Sequence, residues 1–172
     1  PRQLQCGPVA CAQDKPMMIA PGLSYRNARR ITEIGADEGM FVNQLYYSKI
    51  DPKSGRWSRF VPLFEHQMGH NYAHPALFND DKSLMFCSDR PGGYGGMDIY
   101  MSHWDESTKK WGEPINLGTL VNSEGDEIYP RVIGDAPYFS SNGLEGYGGN
   151  DIYRISFGHN LVFPGSLFHY PY

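Results

Sequence analysis

Two aspartates, Asp98 and Asp151, stand at the same place in two Gly-Gly-x-Asp sequences, where a carboxylate could have either of two roles. It could bind a cation such as Ca²⁺, because a second polar residue, Asp89 or Asn142, lies across the same loop. It could instead accept backbone N–H bonds and close a tight turn. A Ca²⁺ loop gathers several carboxylates, whereas these loops supply one or two. We therefore interpret Asp98 and Asp151 as structural turn carboxylates and predict no metal site.

The glycines of the same loops could also suggest a cradle for a phosphate group. A phosphate loop continues into Lys-Ser/Thr and a helix, whereas both copies of Gly-Tyr-Gly-Gly run into a segment typical of a strand. Glycines that adopt positive φ in a hairpin account for the pattern. We predict no nucleotide and no other cofactor.

Three histidines, His66, His70 and His74, are spaced every fourth residue. On a helix they would form a stripe suited to Zn²⁺. Gly69 and Pro75 favour a loop in this region instead. We favour loop-packing or surface histidines over metal ligands.

The acidic residues Glu124, Asp126 and Glu127 could pair as general acid and base, as carboxylates do in glycosidases. Acidic residues in such a loop are more often solvated or cap a turn. The sequence contains no Gly-x-Ser-x-Gly nucleophile motif and no His-Glu-x-x-His zinc motif. We predict that the chain is not an enzyme and has no catalytic residues.

The tips of the two glycine-rich loops are the best candidates for contact with a partner molecule. Tyr94 and Tyr147 occupy equivalent places there, and tyrosine is enriched where proteins meet other proteins. Asp89, Arg90 and Asn142 lie in the same loops and complete the predicted set of partner-contact residues.

An internal repeat sets the elements that position these residues. The sequence Gly-Tyr-Gly-Gly-x-Asp-Ile-Tyr occurs twice, with Asp98 and Asp151 lying 53 positions apart. Several landmarks at one period indicate a repeat architecture. Further landmarks recur at 54 or 55 positions: Trp57 with Trp111, and His74-Pro75 with Tyr129-Pro130.

Each copy predicts short antiparallel strands, because polar and apolar residues alternate within it. A Trp-led strand comes first, and a polar loop ending at the His-Pro or Tyr-Pro pair follows. An apolar strand, the glycine-rich loop and an Asp-Ile-Tyr strand complete the copy. About four strands per repeat is typical of a β-propeller blade. The three named strands are residues 57–63, 84–88 and 98–102 in the first copy, and 111–117, 137–141 and 151–155 in the second.

The predicted fold class is all-β, with about three partial or complete four-stranded blades of a larger propeller. A closed propeller of four blades would need about 216 residues at this period, so we expect a piece of a longer protein. A degenerate copy lies upstream, with a strand at 45–50 and a hairpin at 51–55. The predicted division is an irregular segment at 1–25, blades over 26–157 with repeats at about 43–102 and 103–157, and a connector into a further blade at 158–172.

Composition supports this class and excludes others. The 172 residues include 20 Gly, 13 Pro and 12 Tyr, a mixture suited to short strands and tight turns. Residues 26–34 are the only plausible helical turn. The net charge of −4 without a basic block argues against binding nucleic acid. No apolar stretch reaches the ~20 residues of a membrane-spanning helix.

The three cysteines leave one residue unpaired. Cys6 and Cys11 are close enough in sequence to form a disulfide, which would fit an oxidising compartment, and the choice stays open. Cys87 lies in an apolar run and is interpreted as a buried small hydrophobe.

The segment Phe86-Cys87-Ser88-Asp89-Arg90-Pro91-Gly92-Gly93-Tyr94-Gly95-Gly96-Met97-Asp98-Ile99-Tyr100 resembles the TolB-type, WD40-like propeller repeat. The downstream Trp-Gly-x-Pro-x-Asn-Leu-Gly at 111–118 and Asn-Ser-x-Gly-Asp-Glu at 122–127 fit it too. The resemblance covers about residues 43–157. Its double glycines and Asn-Leu-Gly are similar to propellers of Bacteroidetes envelope proteins, in which an OmpA-like domain that binds peptidoglycan often follows.

The ending at 164–172 resembles a connector of the PorE-like members, which are periplasmic lipoproteins of the type IX secretion system. The resemblance implies a non-enzymatic scaffold or protein-interaction module in the periplasm, associated with the outer membrane. Its implied partners are other envelope or secretion-system proteins, and peptidoglycan through a domain not present in this chain. Two alternatives stay open: a propeller that binds peptidoglycan or glycan fragments, and an accessory propeller of a peptidase.

Overall fold

The computed structural model describes residues 9–12, 17–22, 43–64 and 69–156. Within these ranges the chain forms twelve β-strands and no helix. The strands make three antiparallel sheets, none of which closes into a barrel. A search of these residues finds no helix with the length and apolar character needed to cross a membrane. The all-β class predicted from the repeat is therefore confirmed.

Each sheet contains an antiparallel meander of three or four consecutive strands. The first sheet contains β1 (Ala10–Cys11), β2 (Met17–Gly22), β3 (Gln44–Lys49) and β4 (Val61–Pro62) in that order. The predicted helical turn at 26–34, Cys6 and the connector at 158–172 lie outside the described residues. Cys11 is an exposed free cysteine.

The second and third sheets repeat this plan. The second contains β5 (Tyr72–Phe78), β6 (Ser83–Ser88), β7 (Asp98–Asp105) and β8 (Lys110–Trp111), with β9 (Ile115–Asn116) also paired to β7. The third contains β10 (Glu127–Ile133), β11 (Ala136–Ser141) and β12 (Asp151–Arg154). The apolar and Asp-Ile-Tyr strands predicted in both copies are confirmed. The repeat at 43–102 spans two sheets, because β3 and β4 belong to the first and β5 to β7 to the second.

The core lies between the sheets, on both faces of the second one. Strand β6 is buried along its whole length, since each of its faces packs against another sheet. Side chains on alternate positions of a strand point to opposite faces. One set therefore joins a cluster shared with the first sheet: Leu84 and Phe86, with Ile19, Leu45, Tyr72 and Tyr100. The other set joins a cluster shared with the third sheet: Met85 and Cys87, with Ile99, Met101, Phe139 and Ile155.

A β-bulge interrupts the first strand of both the second and the third sheets. Between Ala73 and Ala76 the strand β5 has one residue more than its partner, and β10 shows the same shift between Ile128 and Arg131. The first residue of each bulge has positive φ, 51° at His74 and 55° at Tyr129. The prediction that a loop ends at His74-Pro75 and at Tyr129-Pro130 is therefore wrong. Both pairs lie inside strands, because a bulge tolerates a proline, which has no N–H for the ladder.

The Trp-led strands predicted at 57–63 and 111–117 are also wrong as continuous elements. The first reduces to β4 and an isolated bridge between Ile50 and Trp57, and the second divides into β8 and β9. Buried serines fasten the irregular stretches instead. Ser48 Oγ donates to the Ser58 carbonyl at 2.8 Å, and the equivalent Ser102 Oγ donates to the Gly112 carbonyl at 2.7 Å.

Candidate functional site: the glycine-rich loops and the sheet junctions

Asp98 closes the first glycine-rich loop from inside the protein. It is the first residue of β7 and is buried, and its Oδ2 accepts the Tyr94 N–H at 2.6 Å and the Asn116 side-chain N–H at 2.9 Å. Gly93 lies so close to this carboxylate that a Cβ there would collide with it. The carboxylate therefore fixes the turn, and a residue without a Cβ is required beside it.

Asp151 has the same arrangement in the second loop. Its Oδ2 accepts the Tyr147 N–H at 2.7 Å, and a Cβ on Gly146 would collide with the same oxygen. The hydroxyl of Tyr153 donates to the carbonyl of Glu145 at 2.8 Å and braces the loop from the other side. Two loops 53 positions apart are thus each closed by one aspartate carboxylate, although their backbones differ: Gly148 and Gly149 have positive φ, whereas the equivalent Gly95 and Gly96 do not.

The tyrosines of these loops are the predicted contact residues that remain free to meet a partner. The Tyr94 residue is 49 % exposed and Tyr147 is fully exposed, although the N–H of each is bound to an aspartate. A rigid backbone under an exposed aromatic ring lowers the entropy lost on binding.

Asp89 has a structural role at the junction of the first and second sheets. Its two carboxylate oxygens accept the backbone and side-chain N–H groups of Asn71, each at 2.6 Å. The side-chain Oδ1 of Asn71 in turn accepts the Asn43 N–H at 3.1 Å, and Tyr72 N–H donates to the Asn43 backbone carbonyl. The end of β6 is therefore tied, through Asn71, to the residue that precedes β3 in the neighbouring sheet.

Asn142 makes the equivalent connection at the next junction. Its Oδ1 accepts the Asp126 N–H at 2.7 Å, and Asp126 Oδ1 accepts the Met97 N–H at 2.9 Å. Glu127 N–H donates to the Met97 carbonyl, as Tyr72 does to Asn43. We call each of these chains of hydrogen bonds a strap: Asn43–Asn71–Asp89 and Met97–Asp126–Asn142.

Arg90 is engaged at the edge of the first loop. Its guanidinium donates to the Glu113 carboxylate at 2.9 Å and lies over the Tyr100 ring, 5.6 Å from the ring centroid. The Tyr100 hydroxyl donates to the Arg90 carbonyl at 3.4 Å. Of the five predicted contact residues, three thus make contacts within the protein and two present free rings.

Asn122 fastens the edge of β7 in a way that sequence reasoning missed. Its amide accepts the Ile99 N–H at 2.7 Å and donates to the Ile99 carbonyl at 3.0 Å, and it also donates to Asn116 Oδ1 at 2.8 Å. Asn116 continues to Asp98, so one buried network joins the Asn-Leu-Gly and Asn-Ser-x-Gly-Asp-Glu motifs to the Asp-Ile-Tyr strand. The recurrence of asparagine in those motifs was the available signal.

Glu127, considered as an acid or base, is a buried structural residue. Its carboxylate accepts the Ser123 N–H at 2.8 Å and the hydroxyls of Ser123 and Ser141, both at 2.5 Å. Glu124 is exposed and Asp126 belongs to the second strap. The three acidic side chains therefore serve separate positions of the fold.

The two described histidines of this series, His70 and His74, lie against different side chains. His66 lies outside the described residues, and His70 Nδ1 is 3.9 Å from Asp89 Oδ1. His74 Nδ1 lies 3.0 Å from Cys87 Sγ instead. Among the residues that the structure describes, no group of three or more His, Cys, Asp or Glu side chains could hold a metal ion.

Cys87 is a buried thiol, and burial raises its pKa to about 12. Its Sγ donates to the Ala73 carbonyl at 3.4 Å, across the bulge. A thiol with so high a pKa stays protonated at neutral pH and is a poor nucleophile. The interpretation as a small buried hydrophobe agrees with this position.

The described residues define an all-β repeat protein whose successive antiparallel sheets are joined by recurring straps. A scan against protein-family models gives no match to this sequence, and a search of curated proteins gives none either. The resemblance to the TolB-type repeat remains a prediction from the motifs.

Proposed function

We propose that the sheets are successive blades of a β-propeller. A propeller blade is a four-stranded meander, and the blades pack face to face around a central axis. The second sheet has this strand order, and the innermost strands of two sheets meet through His74 and Tyr129, whose ring centroids are 4.1 Å apart. A strap is present at the junction of the first and second sheets and again at the junction of the second and third. This recurrence supports the same packing geometry between each pair of neighbouring sheets.

The strongest support for further blades comes from comparing the burial of two equivalent residues in successive copies of the repeat. Ile99 is fully buried between the second and third sheets, whereas its equivalent Ile152 is 80 % exposed on the third sheet. Ile152 lies on the face that corresponds to the covered face of the second sheet. The exposure of an apolar side chain whose equivalent is covered supports the proposal that another sheet of the same kind packs against it.

We further propose that the propeller is a non-enzymatic scaffold or protein-interaction module. The observation that carries this function is the pair of exposed tyrosines on rigid, carboxylate-closed loops at equivalent places. The motif resemblance supports a periplasmic module of an envelope-spanning secretion assembly, anchored to the outer membrane and to peptidoglycan. Its partners are then other envelope or secretion-system proteins.

Cysteine labelling tests the propeller. Ile152→Cys in a Cys6→Ser/Cys11→Ser background should react quickly with a maleimide in the 172-residue chain and slowly in the longer protein that contains it. Lys53→Cys, at an exposed hairpin, is the matched control and should react at the same rate in both. Equal labelling of Ile152→Cys in the two proteins would contradict a following blade.

Site-specific photo-crosslinking tests the interaction module. A photoreactive amino acid at Tyr94 or Tyr147 in cells should capture one and the same protein, and the equivalent placement at Lys53 should not. The Tyr94→Ala/Tyr147→Ala variant should then lose that partner while its thermal midpoint is unchanged. Undiminished association of the double variant would rule the loops out as the contact surface.

A reporter fusion tests the compartment. Alkaline phosphatase needs disulfides that form only outside the cytoplasm. Fused to the protein expressed from its own gene start, it should be active in the native cell, and an inactive fusion of normal abundance would contradict the periplasmic placement.

A further inference from the structure

A cleft of about 620 Å³ opens where the first and second sheets meet. Its size is within the range of small-molecule sites in proteins. The first sheet contributes Tyr47 and Lys49 from β3, and the second contributes Trp104 from β7 and Trp111 from β8. The cleft reaches the first glycine-rich loop at Arg90, but neither of the loop tyrosines lines it.

Aromatic rings form the walls of the cleft. The indoles of Trp104 and Trp111 meet edge to face with centroids 5.7 Å apart. The Phe64 ring, also in the lining, packs 6.2 Å from that of Tyr72 and continues into the core between the two sheets. Flat apolar surfaces at two angles suit a planar organic group better than an aliphatic chain.

The charged groups of the lining are mostly cationic. Lys49 Nζ lies 5.3 Å from the Tyr47 ring centroid and 5.5 Å from that of Trp104, so its ammonium is held over the aromatic wall. Lys109 and Lys110 stand on the same hairpin as Trp111, and Lys109 Nζ is paired with the Glu106 carboxylate at 2.7 Å. The one acidic residue of the lining, Glu113, is paired with Arg90. A protein with a net charge of −4 thus has a local excess of positive charge in this cleft.

The burial of Trp111 in the wall of the cleft lowers the stability of the fold. Its Nε1–H is buried and has no hydrogen-bond partner within the described part of the chain. Leaving such a donor unpaired costs about 1–3 kcal/mol. The equivalent residue of the first sheet, Trp57, is 46 % exposed and lines no part of the cleft. Trp111 pairs with Trp104 as Trp57 pairs with Ile50, so the two tryptophans hold equivalent places in the repeat, and only Trp111 lies where two described sheets meet.

We propose that this cleft binds a small organic anion with a flat apolar portion, its carboxylate facing Lys49 and its ring lying against Trp104 and Trp111. The positive lining favours a ligand with a negative charge, and the aromatic walls favour a ligand with a planar group.

The probe is naphthalene-2-carboxylate, and its neutral analogue 2-naphthamide is the control ligand. The protein has three tryptophans, whose indole N–H signals can be followed separately by ¹⁵N NMR. The carboxylate should shift the signals of Trp104 and Trp111 saturably and leave that of Trp57 unchanged. The amide should need an at least roughly tenfold higher concentration for the same shift.

Charge reversal completes the test. Lys49→Glu should weaken binding of the carboxylate roughly tenfold, Lys49→Arg should retain it, and Lys53→Glu, with the same change in net charge outside the cleft, should alter it less than about twofold. The unfolding midpoints of the variants establish that the fold is intact. Absence of saturable shifts, equal shifts of all three indoles, equal binding of the amide, or an unchanged affinity in Lys49→Glu would each overturn the proposal.

Discussion

The imidazole of His74 packs against the ring of Tyr129, its equivalent one repeat later, with the ring centroids 4.1 Å apart and an interplanar angle of 37°. The Tyr129 N–H points at His74 Nδ1 over 3.5 Å, and Cys87 Sγ lies 3.0 Å from the same nitrogen. Both bulges therefore meet at the His74 imidazole, and the tautomer with an unprotonated Nδ1 is the one that accepts the Tyr129 N–H. Adding a proton to it would remove that acceptor.

The first prediction concerns pH. Burial, and secondarily the charge of Arg131, lower the pKa of His74 below its ordinary 6.5, and burial alone lowers the pKa of His103. A lowered folded-state pKa means that the unfolded chain binds more protons below pH 6.5. The free energy of unfolding should therefore keep its full value above pH 6.5. It should decrease as the pH drops towards the folded-state pKa values of the two histidines.

Urea unfolding at pH 7.5 and pH 5 measures this change. The His74→Gln/His103→Gln variant should lose a smaller part of its stability over the same interval, because its two buried positions no longer titrate. An identical loss in the variant and the unchanged protein would assign the acid sensitivity to other groups.

The second prediction concerns the buried carboxylate of Glu127. Glu127→Ala leaves the Ser123 N–H and the hydroxyls of Ser123 and Ser141 without their acceptor. Unpaired buried donors should lower the free energy of unfolding by about 2–4 kcal/mol. Glu124→Ala, at an exposed position of the same loop, should change it by less than about 0.5 kcal/mol. Chemical denaturation compares the two, and similar values would contradict the structural role of Glu127.

The third prediction concerns the close approach of Gly93 to Asp98. In Gly93→Ala the new methyl group collides with the carboxylate that closes the loop. The variant should lose about 1–3 kcal/mol, as overpacked sites do. In Gly112→Ala the nearest atom, the His103 carbonyl oxygen, is 3.4 Å from the new Cβ, so its effect should be smaller. Thermal unfolding ranks the two, and the reverse order would refute the close approach.

The fourth prediction concerns the straps. Asp89→Ala removes the acceptor of the Asn71 N–H. Hydrogen exchange at that amide should accelerate at least roughly tenfold, because the amide no longer has to break this hydrogen bond before it exchanges. Asn142→Ala should have the same effect on the Asp126 amide. Each variant is the control for the other, since each should leave the amide at the other junction unchanged. Equal acceleration at both amides would show global loosening instead.

The repeat was sufficient to predict the strands that carry apolar residues. Residues 84–88 and 98–102 appear within β6 and β7, because alternation and β-branched or aromatic residues are local signals. The turn at Asp105 was equally visible: its carboxylate accepts the Ser107 N–H at 2.7 Å, as Asp51 accepts that of Lys53 at 2.8 Å.

The bulges and the straps could not be predicted in the same way. His74-Pro75 has the composition of a loop, and only the facing strand β6 shows that the chain continues as a strand with one extra residue. The straps join residues 16 to 29 positions apart, so no local pattern reports them. Asp89 and Asn142 therefore read as surface residues in the sequence, whereas the structure uses them between sheets.

The offset between the repeat and the sheets has a consequence for how such a chain changes length over evolution. One period begins in the outer strands of one sheet and ends in the inner strands of the next, as residues 43–102 do. If the gene gains or loses one whole period in frame, the chain is rejoined at two equivalent positions of the repeat. This holds wherever the breakpoints fall, so each remaining sheet and strap keeps all of its parts. Unequal recombination within the gene could therefore add or remove one whole sheet together with its strap.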